Sequence, residues 1–165
     1  MKMKHMFVLF AAFSLSACVG TYTAAEYPLA ENRISDFDVQ GDVSVTGAYE
    51  EPMPFRMRGM DADLKQISEQ MASQMSEEIQ RRHTGAGGSD KEIVVRVTRM
   101  AVADRFAYFE GQINVELTLG NGETVSYERR NGSPVGPLPR ILNGSIALAI
   151  IEGLENDTVR AYLAE

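Results

Sequence analysis

The sequence predicts an α+β domain of two layers, with a small, mainly antiparallel sheet and two amphipathic helices on one face. Two kinds of hydrophobic periodicity predict it. Residues 112–119 alternate between apolar and polar side chains, as in a half-buried strand, whereas apolar residues recur every three or four positions over about 60–83. Asn121-Gly122, which follows the alternating segment, is a strong hairpin signal. The resulting element order is β-α-β-β-β-α.

From Arg33 the pattern changes, and the alternation over 36–45 predicts the first strand, half-buried. Its apolar side chains alternate with polar, largely acidic ones, and Gly41 interrupts the apolar row, as at a bulge. The apolar positions are Phe37, Val39, Val43 and Val45. Residues 48–59 contain two prolines and a glycine, so this segment is predicted to be a loop.

The first helix is predicted over about 60–83. Acidic residues lie near its start and basic residues near its end, which the helix dipole favours. Its apolar stripe consists of Leu64, Ile67, Met71, Met75 and Ile79. A glycine-rich segment at 84–89 then ends the helix.

The second half of the chain predicts three strands followed by a helix. Residues 92–102 are rich in β-branched side chains, and 112–119 pairs with 123–130 across the Asn-Gly turn. A helix over about 139–154 is apolar around much of its surface, which implies deep burial, and 157–164 adds a further turn or two.

The N-terminus has the features of a secretory signal. Lys2 and Lys4 precede an uncharged apolar run at 6–13, and small residues lead into Cys18. The run is too short for a spanning helix, which needs about 20 apolar residues.

Leu15-Ser16-Ala17-Cys18 resembles the lipobox of bacterial lipoproteins. The resemblance implies a diacylglyceryl group on the Cys18 thiol, cleavage before Cys18, and acylation of the new amino group, for example by palmitate. Val19 stands where inner-membrane lipoproteins of enteric bacteria carry Asp. The resemblance therefore implies the periplasmic face of the outer membrane rather than the inner membrane.

These features divide the chain into three parts. Residues 1–17 are the expected signal peptide, 18–32 a lipidated tether, and 33–165 a single periplasmic α+β domain. The tether shows no periodicity and would reach roughly 45 Å at about 3.3 Å per residue.

Charge and cysteine content exclude several classes of function. Removal of the signal leaves 14 basic against 23 acidic residues, a formal charge of −9, so nucleic-acid binding is not expected. Lipid on Cys18, rather than attraction to anionic headgroups, is therefore the expected membrane link. Cys18 is also the only cysteine, which leaves the mature chain without a thiol for disulfide or nucleophilic chemistry.

No catalytic, metal or cofactor site is expected from the residues. His83, the only histidine after processing, lies among arginines at a helix end, where a cation is favourable. Asp36, Asp38 and Asp42 resemble the start of a calcium loop, but Gly47 stands at the position of its bidentate Glu. A copper site among the methionines at 53–75 is also disfavoured, because Met71 and Met75 belong to the helix stripe.

Phe106, Tyr108 and Phe109 cluster between two predicted strands. One interpretation is that the strands run on and these rings cover the core. The other is that they form a contact surface for a protein or lipid partner.

The element order resembles, at the level of fold, the auxiliary lipoproteins of lipid-transport ABC systems and the lipopolysaccharide-assembly lipoprotein. The expected anchor, tether, acidic domain and lack of a catalytic set lead to the first hypothesis, a non-enzymatic accessory subunit of a cell-envelope complex with an envelope protein as partner. The alternative is a module that binds a lipid or small apolar ligand between helices and sheet. The third is an envelope hydrolase using scattered carboxylates such as Asp104 and Glu110.

Overall fold

A computed structural model describes residues 20–29, 33–82, 88–134 and 136–165 of the chain. The strands in this part are β1 (Gly20–Thr21), β2 (Val43–Gly47), β3 (Pro54–Met57), β4 (Met60–Asp63), β5 (Lys91–Arg105), β6 (Tyr108–Leu119) and β7 (Thr124–Ser133). The helices are α1 (Leu64–Arg81), α2 (Leu138–Glu155) and α3 (Asp157–Ala164).

The main sheet has the strand order β2-β5-β6-β7. β2 runs parallel to β5, whereas β5, β6 and β7 form antiparallel pairs. The predicted α+β class, and the predicted order of strand, helix, three strands and helix, are confirmed in β2, α1, β5, β6, β7 and α2. The short helix predicted at 157–164 is confirmed as α3.

Both long helices cover the same face of this sheet. Gly153 of α2 lies where the layers meet: a Cβ there would be 2.6 Å from the Tyr127 hydroxyl, 3.0 Å from Met75 and 3.1 Å from Leu117. A side chain larger than hydrogen would therefore collide with α1, β6 and β7 at once. The opposite face of the sheet is polar, with cross-strand pairs such as Arg96 and Glu116.

A bulge in β5 shifts the side-chain alternation. The β5–β6 register slips between Val97 and Arg99, so that Met100 rather than Arg99 is buried beneath the helices. Beyond the bulge, even-numbered β5 residues lie on the helix side, which places Asp104 on that face.

The predicted loop over 48–59 and the predicted helix start near 60 are wrong. Residues 54–57 and 60–63 form a hairpin, which with β1 makes a second sheet of order β1-β4-β3. Pro54 begins the edge strand, a position where its missing N–H costs no ladder bond. Asp63 then caps α1 by accepting a 2.8 Å bond from the Lys65 backbone N–H, so the helix begins at Leu64.

The predicted tether is wrong for residues 20–29, which lie along the domain. Tyr22 is buried, and its hydroxyl donates to Asn143 at 2.7 Å. The Gln66 side chain accepts from the Ala24 backbone N–H at 2.9 Å and donates to the Ala24 carbonyl at 3.0 Å. Beyond the two-residue β1 ladder, side-chain amides bond part of the backbone of this segment, so it carries no strand-like alternation.

The first predicted strand is shorter than expected. Val39 is fully buried, yet the strand itself spans only Val43–Gly47. Gly41 has φ of 72°, and a Cβ there would lie 2.2 Å from the Ser89 carbonyl oxygen. The chain therefore turns at Gly41, in a conformation that glycine alone adopts easily, and the alternation on either side belongs to different segments.

Candidate functional site: the aromatic hairpin tip

The hairpin of β5 and β6 ends in three exposed aromatic residues, Phe106, Tyr108 and Phe109, which we call the aromatic tip. Their relative exposures are 110%, 40% and 37%. Among the described residues, the remaining large hydrophobic side chain that is exposed is Met53, at 45%. Clustered exposed apolar side chains mark sites of interaction, whereas single ones are ordinary.

The ladder between the strands continues to the end of the hairpin. Arg105 pairs with Tyr108, so Phe106 and Ala107 form the two-residue turn. The strands therefore run on to the turn, as one of the two sequence interpretations predicted. That interpretation also predicted that the three rings cover the core, which is wrong because they are exposed.

The two strand aromatics lie on opposite faces of the hairpin. Phe109 pairs with Asp104 on the helix side, whereas Tyr108 lies on the same face as Glu110. Phe106 projects from the turn between them. The tip thus presents aromatic surface on both faces and at its end.

Arg58 supports the helix-side face of the tip. It lies in the turn between β3 and β4, where Arg58 and Gly59 have positive φ of 46° and 76°. Its guanidinium lies 4.8 Å from the centroid of the Phe109 ring and forms an ion pair with Asp104. This contact ties the small sheet to the tip, and sequence reasoning missed it. The signal available was the Arg58-Gly59 pair, a typical turn sequence.

Gly132 of β7 supports the outer face. The Tyr108 ring covers this glycine so closely that a Cβ there would lie 2.8 Å from the ring. The carboxylate of Glu110 beside it accepts from Arg105 at 2.8 Å and lies 3.8 Å from Arg130. The Glu110 hydrogen bond raises the pKa of Arg105 further, which keeps that guanidinium charged.

Most charges around the tip are paired. Arg56 lies 3.4 Å from Asp61, Arg58 pairs with Asp104, and Arg105 pairs with Glu110. Arg140, which lines a hollow with Gly132, is exposed and has no ion pair among the described residues.

Asp104 and Glu110, the carboxylates considered for a hydrolase, are on opposite faces of the hairpin. Each is bound to its own arginine, so they do not form an acid–base pair. His83 and Cys18 lie outside the described residues.

The other sequence candidates are dispersed. Asp36, Asp38 and Asp42 are exposed, and no group of three metal-ligating side chains occurs in the part of the chain that the structure describes. Met71 and Met75 are fully buried in the core, as the stripe predicts.

Several concave regions occur in the described part of the chain, and two of them lie away from the tip. An open cavity of about 570 Å³ surrounds the start of β5 and is lined by Lys91, Tyr162 and Glu165 among others. Lys91 is buried, and its ammonium donates to the Gln40 carbonyl at 2.6 Å, so it holds two chain segments together. A smaller groove of about 230 Å³ runs outside α2 between Leu29, Leu148 and Ile151.

The described helices include none that is both long enough and apolar enough to cross a bilayer. No protein-family model matches the chain, and no curated protein matches it. Among solved structures, a Xanthomonas campestris protein described by the family model DUF330 is similar at 10% identity, over 87% of this chain and 92% of that one, with a TM-score of 0.41. At that score we draw no conclusion from the likeness.

Proposed function

We propose that this chain is a lipid-anchored lipoprotein of the outer membrane that acts by contact, as a non-enzymatic accessory subunit of a cell-envelope complex. Cys18 carries the lipid, and the aromatic tip is the contact surface. The exposure of Phe106, Tyr108 and Phe109 at the end of an ordered hairpin is the observation that carries the proposal.

The tip is held in place before any partner binds. Arg58 and Gly132 support its two faces, and the ladder continues to Arg105 and Tyr108. A preorganised aromatic surface loses little conformational entropy on binding, which favours a contact role.

The perturbed ionisable groups have structural causes. Burial raises the pKa of Tyr22 and of Tyr127, whose hydroxyls bond Asn143 and the Ala149 carbonyl at 2.7 and 2.9 Å. The Arg130 side chain lowers the pKa of Glu128, and the Ser35 backbone N–H lowers that of Glu155. These groups stabilise the domain, and their positions fit a protein that presents a surface.

The alternative of an apolar ligand between helices and sheet receives less support from the packing. Fully buried side chains fill that space, among them Ile67, Met71, Met75, Leu117, Ile146 and Ile150. Such close packing leaves no room for a ligand without rearrangement of the core.

A crosslinking pull-down of the full-length lipoprotein from its native membrane tests the proposal. We expect one dominant envelope protein, lost in Cys18→Ser and strongly reduced in Phe106→Ser. Met53→Ser is the matched control, because it removes an exposed apolar side chain at the other end of the β3–β4 hairpin. Recovery of no dominant partner, or equal recovery with Phe106→Ser and wild type, would contradict the proposal.

A further inference from the structure

We infer that the aromatic tip contacts the bilayer itself, inserting into the interfacial region of the membrane that holds the lipid on Cys18. The inference rests on the proposed lipid anchor and deepens the proposed function: insertion of the tip fixes the orientation in which the domain meets its envelope partner. Three observations carry it: where the chain enters the fold, how short the link to Cys18 is, and which side chains surround the tip.

The chain enters the fold beside the tip. β1 runs parallel to β4, with Gly20 opposite Met60 and Thr21 opposite Asp61. Because the two strands are parallel, their N-terminal ends lie side by side. The Arg58-Gly59 turn immediately precedes the N-terminal end of β4. A Cβ on Gly20 would lie 3.9 Å from the Met60 side chain, which places this first described residue next to that turn.

The same turn touches the tip. Arg58 is two residues from Met60 and contacts both Phe109 and Asp104. The start of the domain and the aromatic tip therefore lie at one end of the molecule, with the Arg58 side chain between them.

The link to the expected lipid is short. Gly20 is two positions along the chain from Cys18, with only Val19 between them, a span of at most about 7 Å at roughly 3.5 Å per residue. The Tyr22 backbone N–H bonds the Asp61 carbonyl at 2.8 Å and the Tyr22 hydroxyl bonds Asn143, so the following residues are fixed. Lipid on Cys18 therefore holds the tip end of the domain at the membrane surface.

The chemistry of the tip suits a lipid interface. Phenylalanine and tyrosine rings partition into the headgroup region, where the phenol hydroxyl stays wet while the ring is buried. Arg56, Arg58 and Arg105 are each paired with a carboxylate, which weakens their attraction to anionic headgroups. Arg140, which lines a hollow with Gly132, has no ion pair among the described residues and can add to the contact where anionic lipid is present. The apolar rings make the main contact.

The chain contains no tryptophan, so one introduced tryptophan is a unique probe of membrane contact. We would purify full-length lipoprotein carrying Phe106→Trp and reconstitute it in phosphatidylcholine vesicles with brominated acyl chains, which quench nearby indole fluorescence. Thr124→Trp is the matched control. Thr124 is exposed and pairs with Thr118, ten residues along β6 from Tyr108, or about 33 Å at 3.3 Å per residue.

We expect Phe106→Trp fluorescence to be blue-shifted and quenched several-fold more than Thr124→Trp fluorescence. Because the apolar rings make the main contact, the quenching should be present in phosphatidylcholine alone and should persist with added salt. Equal quenching of both variants, each with the circular dichroism spectrum of the wild type, would overturn the inference.

The outcomes separate this inference from the proposed function. A pull-down that depends on Phe106, combined with an unquenched probe, would mean that the tip binds a protein; the proposed function would stand and the bilayer contact would fall. A quenched probe with no dominant partner in the pull-down would mean that the tip contacts the bilayer; the bilayer contact would stand and the role as an accessory subunit would fall.

Discussion

Arginine–phenylalanine contacts lie at opposite ends of the sheet, around Phe37 and around Phe109, and the two groups differ in burial. Where β5 begins, Phe37 lies between two guanidiniums, with Arg82 at 5.7 Å and Arg160 at 5.5 Å from its ring centroid. Where β5 ends, Phe109 has Arg58 at 4.8 Å, and the neighbouring Phe106 is fully exposed.

The difference lies in what holds each arginine. Arg82 is bonded at 2.6 Å to Glu78, whose side chain is only 7% exposed. Arg160 donates to the Leu154 carbonyl at 2.9 Å and to Glu155 at 2.8 Å. At the tip, Arg58 pairs with Asp104, whose side chain is 64% exposed. The same kind of contact therefore closes the core at one end and positions an exposed surface at the other.

The largest expected effect is at the buried end. Glu78→Ala would leave the Arg82 guanidinium partly buried without its carboxylate, which should lower the free energy of unfolding by about 3 kcal/mol. Urea denaturation of the variant measures this loss.

Glu77→Ala is the matched control, because Glu77 precedes Glu78 in α1 and its half-exposed side chain lies 3.6 Å from Arg81. Its expected cost is below about 0.5 kcal/mol. Equal losses from the two substitutions would show that the Glu78 pair does not close that end of the core.

The next effect compares the two phenylalanines directly. Phe37→Ala removes a ring held by two arginines and should cost about 2 kcal/mol, whereas Phe106→Ala should change stability by less than about 0.5 kcal/mol. Thermal or urea unfolding of the two variants gives the comparison. A stability loss at Phe106 similar to that at Phe37 would place the tip in the core rather than in contact with a partner.

A smaller global effect is expected from Arg58→Met, which keeps an apolar stem but removes the ion pair with Asp104. Because that pair is largely exposed, the free energy of unfolding should fall by less than about 1 kcal/mol. The tip itself should loosen, seen as faster amide hydrogen exchange over 104–110 with unchanged exchange in β5 near Ile93. Unchanged exchange at 104–110 would mean that Arg58 does not order the tip.

The smallest effect is a change in acid sensitivity. The Ser35 backbone N–H, helped by the Ser35 hydroxyl and Arg160, holds the pKa of Glu155 below its ordinary value of 4.5. This carboxylate therefore stabilises the fold above about pH 4.5, and that contribution is lost as the pH falls through the lowered pKa. Glu155→Gln should consequently show a shallower loss of stability below pH 4.5 than the wild type. An identical pH profile would contradict this assignment.

The sequence predicted the main sheet and its two helices because their periodicities are long and regular. The alternation at 112–119 and the stripe from Leu64 to Ile79 each bury one face over many residues. The small sheet was missed because β3 and β4 have four residues each, too few for an alternation to be recognised. Residues 20–29 gave no signal because Gln66 and Asn143 bond them from distant helices.

For the candidate site, the sequence identified Phe106, Tyr108 and Phe109 but left their exposure open. Their placement depends on the bulge between Val97 and Arg99 and on a turn without glycine, neither of which has a strong sequence signature. The support from Arg58 depends on a tertiary contact across 46 residues and could not have been predicted locally.

The most direct test of the account is photocrosslinking in living cells from a benzoylphenylalanine at position 106, with the same probe at position 124 as the reference. We expect abundant lipid adducts at 106 that disappear in Cys18→Ser, and few adducts at 124. Adducts at 106 that are no more abundant than those at 124, or that persist without Cys18, would contradict a contact surface that a lipid anchor holds at the membrane.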